Sequence, residues 1–184
     1  MSKIFVTSDL HFGHTQPFLW GSRGFRSSLE HDEAIIANWN NAVSPDDEVY
    51  VLGDLMLENN NYGVSCVRRL NGTIYLVRGN HDSDHRWEEV YIDLPNVHRL
   101  GWAHVLHYRK YHFYLSHFPT LTGNIEKEYP RQMTLNIHGH THSKEKFYED
   151  KFNMFNACLD AHNNTPVLLD DIIEMIKEKF YDKK

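Results

Sequence analysis

The chain has 184 residues, enough for a single domain spanning 1–184 that buries roughly 70% of the surface an unfolded chain exposes. Apolar residues make up 41% and charged residues 24%, a balance that excludes general disorder. The net charge of −6 argues against holding extended duplex nucleic acid by phosphate neutralisation, although a local site can still accept a phosphate. Asp9 arrives too early for a signal peptide, and no apolar run reaches membrane-spanning length. Cys66 and Cys158 form no metal or redox spacing, which points to a reducing compartment; a cytoplasmic protein without membrane contact is expected.

In chain order, residues 3–8 form the first short β-branched and aromatic run, read as a strand. Ser27-Ser28-Leu29-Glu30 then fits a capping box, and Ala34, Ile35, Trp39, Ala42 and Val43 follow at helical spacing as far as Ser44-Pro45. Residues 48–53 read as a strand, 62–70 as a helix stopped by Asn71-Gly72, and 73–79 as a third strand. A shorter helix is expected over 84–91, before Pro95. Residues 97–117 contain two alternating runs meeting at Tyr108-Arg109-Lys110 like an antiparallel hairpin, with Tyr111, Phe113, Leu115 and His117 on one face. Strands at 133–139 and 152–159 follow. A last helix capped by Asp170 or Asp171 carries Ile172, Ile173, Ile176 and Phe180. Because helices separate the first three strands, these should be parallel with right-handed crossovers. No internal repeat or low-complexity tract interrupts the chain.

Asp9, Asp54, Asn80, His117 and His140 each follow directly on one of these strands. In open α/β sheets the carboxyl ends of the strands are where loops converge and ligands bind, so these side chains describe the rim of one site. The chain holds 14 histidines, dispersed rather than gathered in a tag. Asp9-Leu10-His11 offers a carboxylate and an imidazole on alternate residues, and Gly139-His140-Thr141-His142 offers two imidazoles in the same way. With Gly53-Asp54, Gly79-Asn80-His81-Asp82 and Ser116-His117, they form a mixed nitrogen and oxygen donor set. Such a set suits Mn²⁺, Fe or Zn²⁺ better than Ca²⁺ or Mg²⁺ alone.

Taken in order, Asp9-x-His11, Gly53-Asp54, Gly79-Asn80-His81-Asp82, His117 and Gly139-His140-Thr141-His142 resemble the calcineurin-like metallophosphoesterase family. Any one of these motifs occurs by chance; together they are specific, and they span most of the chain. The resemblance implies an α/β protein, a four-layer α/β/β/α sandwich of two mixed sheets with flanking helices. It also implies two divalent metal ions, Mn²⁺ first, with Fe, Zn²⁺, Ni²⁺ or Co²⁺ as alternatives. Carried over by motif, Asp9, His11 and His142 hold one metal, Asn80, His117 and His140 hold the other, and Asp54 bridges them. The implied reaction is phosphoester hydrolysis by a metal-bridging hydroxide, with His81 protonating the leaving oxygen and Asp82 orienting its ring. The motifs look like those of the small, uncapped phosphodiesterase branch. The substrate is then a phosphate ester such as a nucleotide or cyclic nucleotide. A phosphomonoesterase with the same site and a non-catalytic metal scaffold are the alternatives.

Other residues have open roles. Gly13 lets the loop fold back and bring His14 to a bound phosphate, or His14 is a plain loop histidine. His81 has a structural hydrogen bond or a metal contact as its rival role, and Asp82 has a helix cap. Arg78 is assigned to structure, and His98, His104, His107 and His112 to surface or packing. His31, His85, His138 and His162 belong to no constellation. Phe18, Trp20 and Phe25 lie in a loop able to stack a base, though packing is the commoner fate of aromatics. The short loop over 58–62 departs from longer family versions that bring an arginine to phosphate, so that contact has no assigned residue.

Overall fold

Alternation of apolar residues along short strands produces two stacked sheets in the computed structural model, which describes residues 2–124 and 126–182. In the first sheet, β1 (Ile4–Thr7), β2 (Glu48–Leu52), β3 (Thr73–Val77) and β4 (Val97–Gly101) run parallel, and β9 (Val167–Leu168) closes the edge antiparallel to β1. Their order is β4-β3-β2-β1-β9. The second sheet, ordered β5-β6-β7-β8, comprises β5 (Ala103–Tyr108), β6 (Tyr111–Ser116), β7 (Thr134–His138) and β8 (Met154–Asn156). It is mixed: β5 and β6 form a hairpin, while β6, β7 and β8 are parallel.

The period of two along each strand sends alternate residues to different cores. On one face of the first sheet Phe5, Val49, Val51, Ile74 and Leu76 pack on Ile35, Ile36 and Trp39 of α2 (Ser28–Ala42) and on Cys66 and Val67 of α3 (Asn60–Val67). On the other, Val6, Tyr50, Leu52 and Val77 meet Phe113, Leu115, Leu135, Ile137 and Phe155 of the second sheet. The last helix, α4 (Leu169–Tyr181), closes that second core with Leu169, Ile172, Ile173, Ile176 and Phe180. Burying a side chain of this size contributes roughly 1.5–3 kcal/mol, so these two cores hold the two mixed sheets and their flanking helices together. Among the described residues no helix is long and apolar enough to cross a membrane.

Several elements differ locally from expectation. The run over 97–108 divides at Gly101, whose φ of +91° lets the chain leave β4 for β5 in the other sheet; the hairpin is β5–β6 alone. Its turn residues Arg109 and Lys110 have φ of 46° and 70°, as a two-residue hairpin turn requires. The helix expected over 84–91 is a single π turn (Arg86–Val90) followed by a 3₁₀ turn (Tyr91–Asp93). Leu94 is already extended, as the residue before a proline prefers. Only Met154–Asn156 of 152–159 is strand. A short helix, α1 (Pro17–Ser22), begins at a proline, whose fixed φ suits a first helical position. The Ser27 cap forms, its Oγ accepting from Glu30 N at 3.1 Å. Asp170 and Asp171 lie inside the first turn of α4 rather than at its cap, where their charge still favours the helix dipole.

Candidate metal centre

Because β1, β2 and β3 are parallel, their carboxyl ends line one edge, and β6 and β7 bring theirs to the same place. Two glycines permit this approach. A Cβ on Gly53 (φ +93°) would lie 2.6 Å from Gly79 Cα, and one on Gly139 would lie 1.9 Å from Ser8 Oγ and 2.6 Å from Asp9 Oδ2. Immediately beyond, Asp9, His11, Asp54, His140 and His142 all take left-handed backbone conformations, with φ of 60°, 52°, 55°, 69° and 47°. Non-glycine residues seldom do so, and such strain persists where surrounding structure over-determines it, commonly at functional sites.

These strained loops aim their side chains inward. His11 Nε2 and His142 Nε2 face each other at 3.3 Å, and Asp9 Oδ1 lies 3.7 and 3.5 Å from them. On the other side Asn80 Oδ1 is 2.7 Å from His117 Nε2 and 2.9 Å from His140 Nδ1. Asp54 Oδ2 sits between the groups, 3.7 Å from His11 Nε2 and 3.6 Å from His117 Nε2. All seven sequence-expected ligands are thus brought together, and Asp9, His11 and His142, and Asp9, Asp54 and His117, have the spacing of donors around a cation.

Whether a metal suits this cage can be tested on Asp9. It is fully buried, yet its Oδ1 accepts no hydrogen bond, while Oδ2 accepts from Ser8 Oγ, from His140 N at 2.8 Å and from Cys158 Sγ at 3.2 Å. A buried carboxylate oxygen left bare is costly unless a cation meets it. Burial pushes the Asp9 carboxyl up, but the imidazoles of His11, His142 and His117 around it outweigh this and hold the group below the usual range. Asp54 goes the other way: burial, then the Asp9 and Asp82 charges, push it up to about 8. Burial also pushes His11 down to about 4, keeping its ring neutral and free to ligate. The donor set fits divalent cations.

The description "Calcineurin-like phosphoesterase superfamily domain" belongs to the family model that matches residues 2–158. The chain belongs to the calcineurin-like phosphoesterase superfamily. It is 33% identical to the uncharacterized protein MJ1445 of Methanocaldococcus jannaschii, over 97% of this chain and 93% of that one. It is also 28% identical to the Gene 66 protein of Mycobacterium phage D29, over 97% and 98% of the two chains. A solved structure of similar fold is the protein of unknown function AQ665 from Aquifex aeolicus, with a TM-score of 0.72 at 24% identity, covering 95% and 100%. Phosphoesterases of this superfamily act on phosphate esters with divalent metals, and this member carries candidate ligands for them.

Around this candidate site lies a layer that sequence reasoning missed. His142 Nδ1 is 3.1 Å from Asp160 Oδ2, and His117 Nδ1 is 2.8 Å from Leu52 O; each contact sets the tautomer that presents Nε2 to the centre. Arg23, with a fully buried side chain, donates to Asp160 Oδ2 at 2.8 Å and to Asp9 O at 2.7 Å. Its other terminal nitrogen meets His31 Nε2 at 2.9 Å, His31 Nδ1 meets Asp32 Oδ1 at 2.7 Å, and Asp32 Oδ2 accepts from Gly13 N at 3.0 Å. His31, which the sequence left outside any constellation, is therefore part of a buried relay bracing the Asp9–Gly13 loop. Burial pushes the Asp160 carboxyl up, but hydrogen bonds from His142 and Arg23 overcome this and bring it to about 2.

The remaining expected residues sort clearly. His81 is exposed at the rim; its ring centroid is 5.5 Å from that of His11, and its N–H donates to Asp54 Oδ1 at 2.8 Å. Asp82 is buried and bonds away from the His81 ring. Its Oδ2 accepts from Asp54 N (2.9 Å) and Gly79 N (2.8 Å), and its Oδ1 accepts from Tyr91 Oη at 2.6 Å. His14 is buried rather than exposed, 5.8 Å ring to ring from His11, with Nδ1 accepting from Gln16 N. Burial pushes both His14 and His81 below the usual histidine range. Arg78 is structural as expected, bonding Asp82 O and Asp84 and lying 4.7 Å over Trp102. His98 and His104 stack on Tyr75 and Tyr50, and His107 packs on His112; His98, His107 and His112 are exposed and His104 is half-buried, so these histidines lie at the surface of the strands.

Proposed function

We propose that this phosphoesterase is a hydrolase of phosphodiesters that works with two divalent cations, Mn²⁺ foremost and Fe, Zn²⁺, Ni²⁺ or Co²⁺ as alternatives. Asp9, His11 and His142 would hold one cation, Asn80, His117 and His140 the other, and Asp54 would be shared. The observation that carries this reading is the place of Asp54 Oδ2, 3.7 Å from a nitrogen of one donor group and 3.6 Å from a nitrogen of the other. One shared carboxylate offsets the repulsion between two neighbouring dications. When bound, the cations supply positive charge for the phosphate oxygens and acidify a water molecule.

The chain's own groups do the rest. Asp160 and Leu52 O hold the His142 and His117 rings in the tautomers that present Nε2. His81, at the rim, holds a proton on its imidazole and passes it to the departing ester oxygen. Its position is kept by the hydrogen bond from its N–H to Asp54 and by Arg86, which donates to His81 O at 2.6 Å. Asp82 serves by binding the Asp54 and Gly79 amides, so it is a positioning residue. His14 lies beside His11 on the same flank and contributes an imidazole toward the phosphate. Asp9, His11, Asp54 and His117 are buried, while Asn80, His81 and His140 are exposed. That open rim admits both substituents of a diester. Cys66 and Cys158 are free and buried, in keeping with action in the cytoplasm.

The test is hydrolysis of bis-p-nitrophenyl phosphate beside p-nitrophenyl phosphate, after metal removal and Mn²⁺ reloading, with metal stoichiometry on the same sample. Faster diester turnover at about two metals per chain is the expected result. Faster monoester turnover would make the protein a phosphomonoesterase. Two bound metals with neither ester cleaved would make it a scaffold.

A further inference from the structure

Of the three aromatics that the sequence placed in the loop before α2, the structure buries or ties down two. Phe25 packs on His31 at 5.5 Å, and Trp20 Nε1 donates to Thr15 O. Phe18 is 72% exposed, although it stands edge-on to His14 with centroids 5.3 Å apart. Its neighbour Leu19 is buried and anchors α1, so Phe18 is carried on a fixed element and faces out.

A second exposed aromatic lies beside the other group of donors. Phe118, directly after His117, is 44% exposed and packs edge-on to His117 at 5.0 Å and to His140 at 4.6 Å. Its turn is pinned: Ser116 Oγ and Thr120 Oγ1 both donate to Phe118 O, and Thr120 N donates to the buried Asn136 Oδ1 at 2.9 Å. The contacts therefore run Phe18, His14, His11, Asp54, His117, Phe118, with the shared carboxylate in the middle and an open ring at each end. Covering a phenylalanine contributes roughly 1.5–3 kcal/mol, and rigid exposed rings next to polar groups are what planar ligands stack upon.

We infer that Phe18 and Phe118 are stacking platforms on the two sides of the phosphate position. The substrate is then a short linear diester joining two groups with planar rings, in the simplest case a dinucleotide. A cyclic nucleotide offers one base and would use one ring. The net charge of −6 disfavours a long strand, whose other phosphates would find no neutralising surface. The inference rests on the phosphodiesterase reading.

It is tested on Mn²⁺-loaded protein by calorimetric titration with AMP, ribose 5-phosphate and inorganic phosphate, and by the KM for adenylyl-(3′,5′)-adenosine. The protein is compared with its Phe18→Ala, Phe118→Ala and doubly substituted forms. AMP should bind about 5- to 100-fold more tightly than ribose 5-phosphate. Each alanine should raise the dinucleotide KM by a similar factor, and the double variant by about the product. Phe18→Trp and Phe118→Trp should restore it, while inorganic phosphate affinity and metal content stay as in the unsubstituted protein. Equal binding of AMP and ribose 5-phosphate would overturn the inference. So would alanine variants that weaken inorganic phosphate as much as AMP, because the rings would then merely support the histidines. An AMP preference that the alanines abolish, in a protein that cleaves no diester, would uphold the platforms and refute the phosphodiesterase reading.

Discussion

Arg23→Met isolates the buried layer behind the metal centre. The Arg23 side chain is 0% exposed and that of Asp160 is 6% exposed, so methionine fills the space but leaves a carboxylate stranded. Removing one partner of such a pair costs about 3–5 kcal/mol. The carboxyl itself sets a lower figure: bringing Asp160 from 3.8 to about 2 corresponds to about 2 kcal/mol, shared between His142 and Arg23. A loss of about 2–5 kcal/mol in a chain of this size lowers Tm by roughly 5–20 °C. The assay is urea and thermal unfolding of metal-free protein, because bound metal would add its own stabilisation. The pH dependence has a definite sign. A carboxyl lowered on folding stabilises fully above its unfolded value and loses that contribution as pH falls through the folded one. The part carried by Asp160 should thus be intact above pH ~5 and be about half gone by pH ~3. A loss below about 1 kcal/mol at neutral pH, or one undiminished at pH ~3, would refute the argument that this pair is a tightly coupled buried unit.

Asp54→Ala should lower metal content and abolish turnover, because the residue faces both donor groups; two metals retained at full affinity, by elemental analysis, would disprove the shared role. His81→Ala should leave metal content intact and slow turnover by about 10²–10⁴ if the imidazole protonates the leaving oxygen. That loss should shrink for p-nitrophenolate, and an equal loss for good and poor leaving groups would count against a proton donor. Gly139→Ala should destabilise the metal-free protein by about 1–3 kcal/mol and reduce metal uptake, since the new methyl would strike Ser8 Oγ and Asp9 Oδ2; an unchanged urea midpoint would show that the strand ends need not approach so closely. Tyr91→Phe should leave Asp82 Oδ1 without its buried donor and cost about 1–3 kcal/mol in the same unfolding assay.

What could be read from the chain alone was whatever depends on neighbours in sequence. Each strand is a run of β-branched and aromatic residues, and each candidate ligand follows a strand end. The set Asp9, His11, Asp54, Asn80, His117, His140 and His142 was therefore legible before any contact was known. The Ser27 cap was legible for the same reason, as its hydrogen bond closes within three residues, whereas the Glu30 carboxylate expected to complete a capping box accepts from Arg26 N instead. Tertiary structure decided what depends on partners far along the chain. Arg23 and Asp160 are separated by 137 positions and carry no local pattern, so nothing before folding marks them as a pair or places His31 behind them. The same holds for Asp82, whose helix-capping and ring-orienting roles were equally open until Asp54 N and Tyr91 Oη were seen to occupy its oxygens. The split of 97–108 between two sheets at Gly101, and the outward turn of Phe18 while Phe25 packs inward, were likewise settled by packing. A local run shows that a segment will be extended, but which sheet it joins and which face it shows follow from the energy of burying it against everything else.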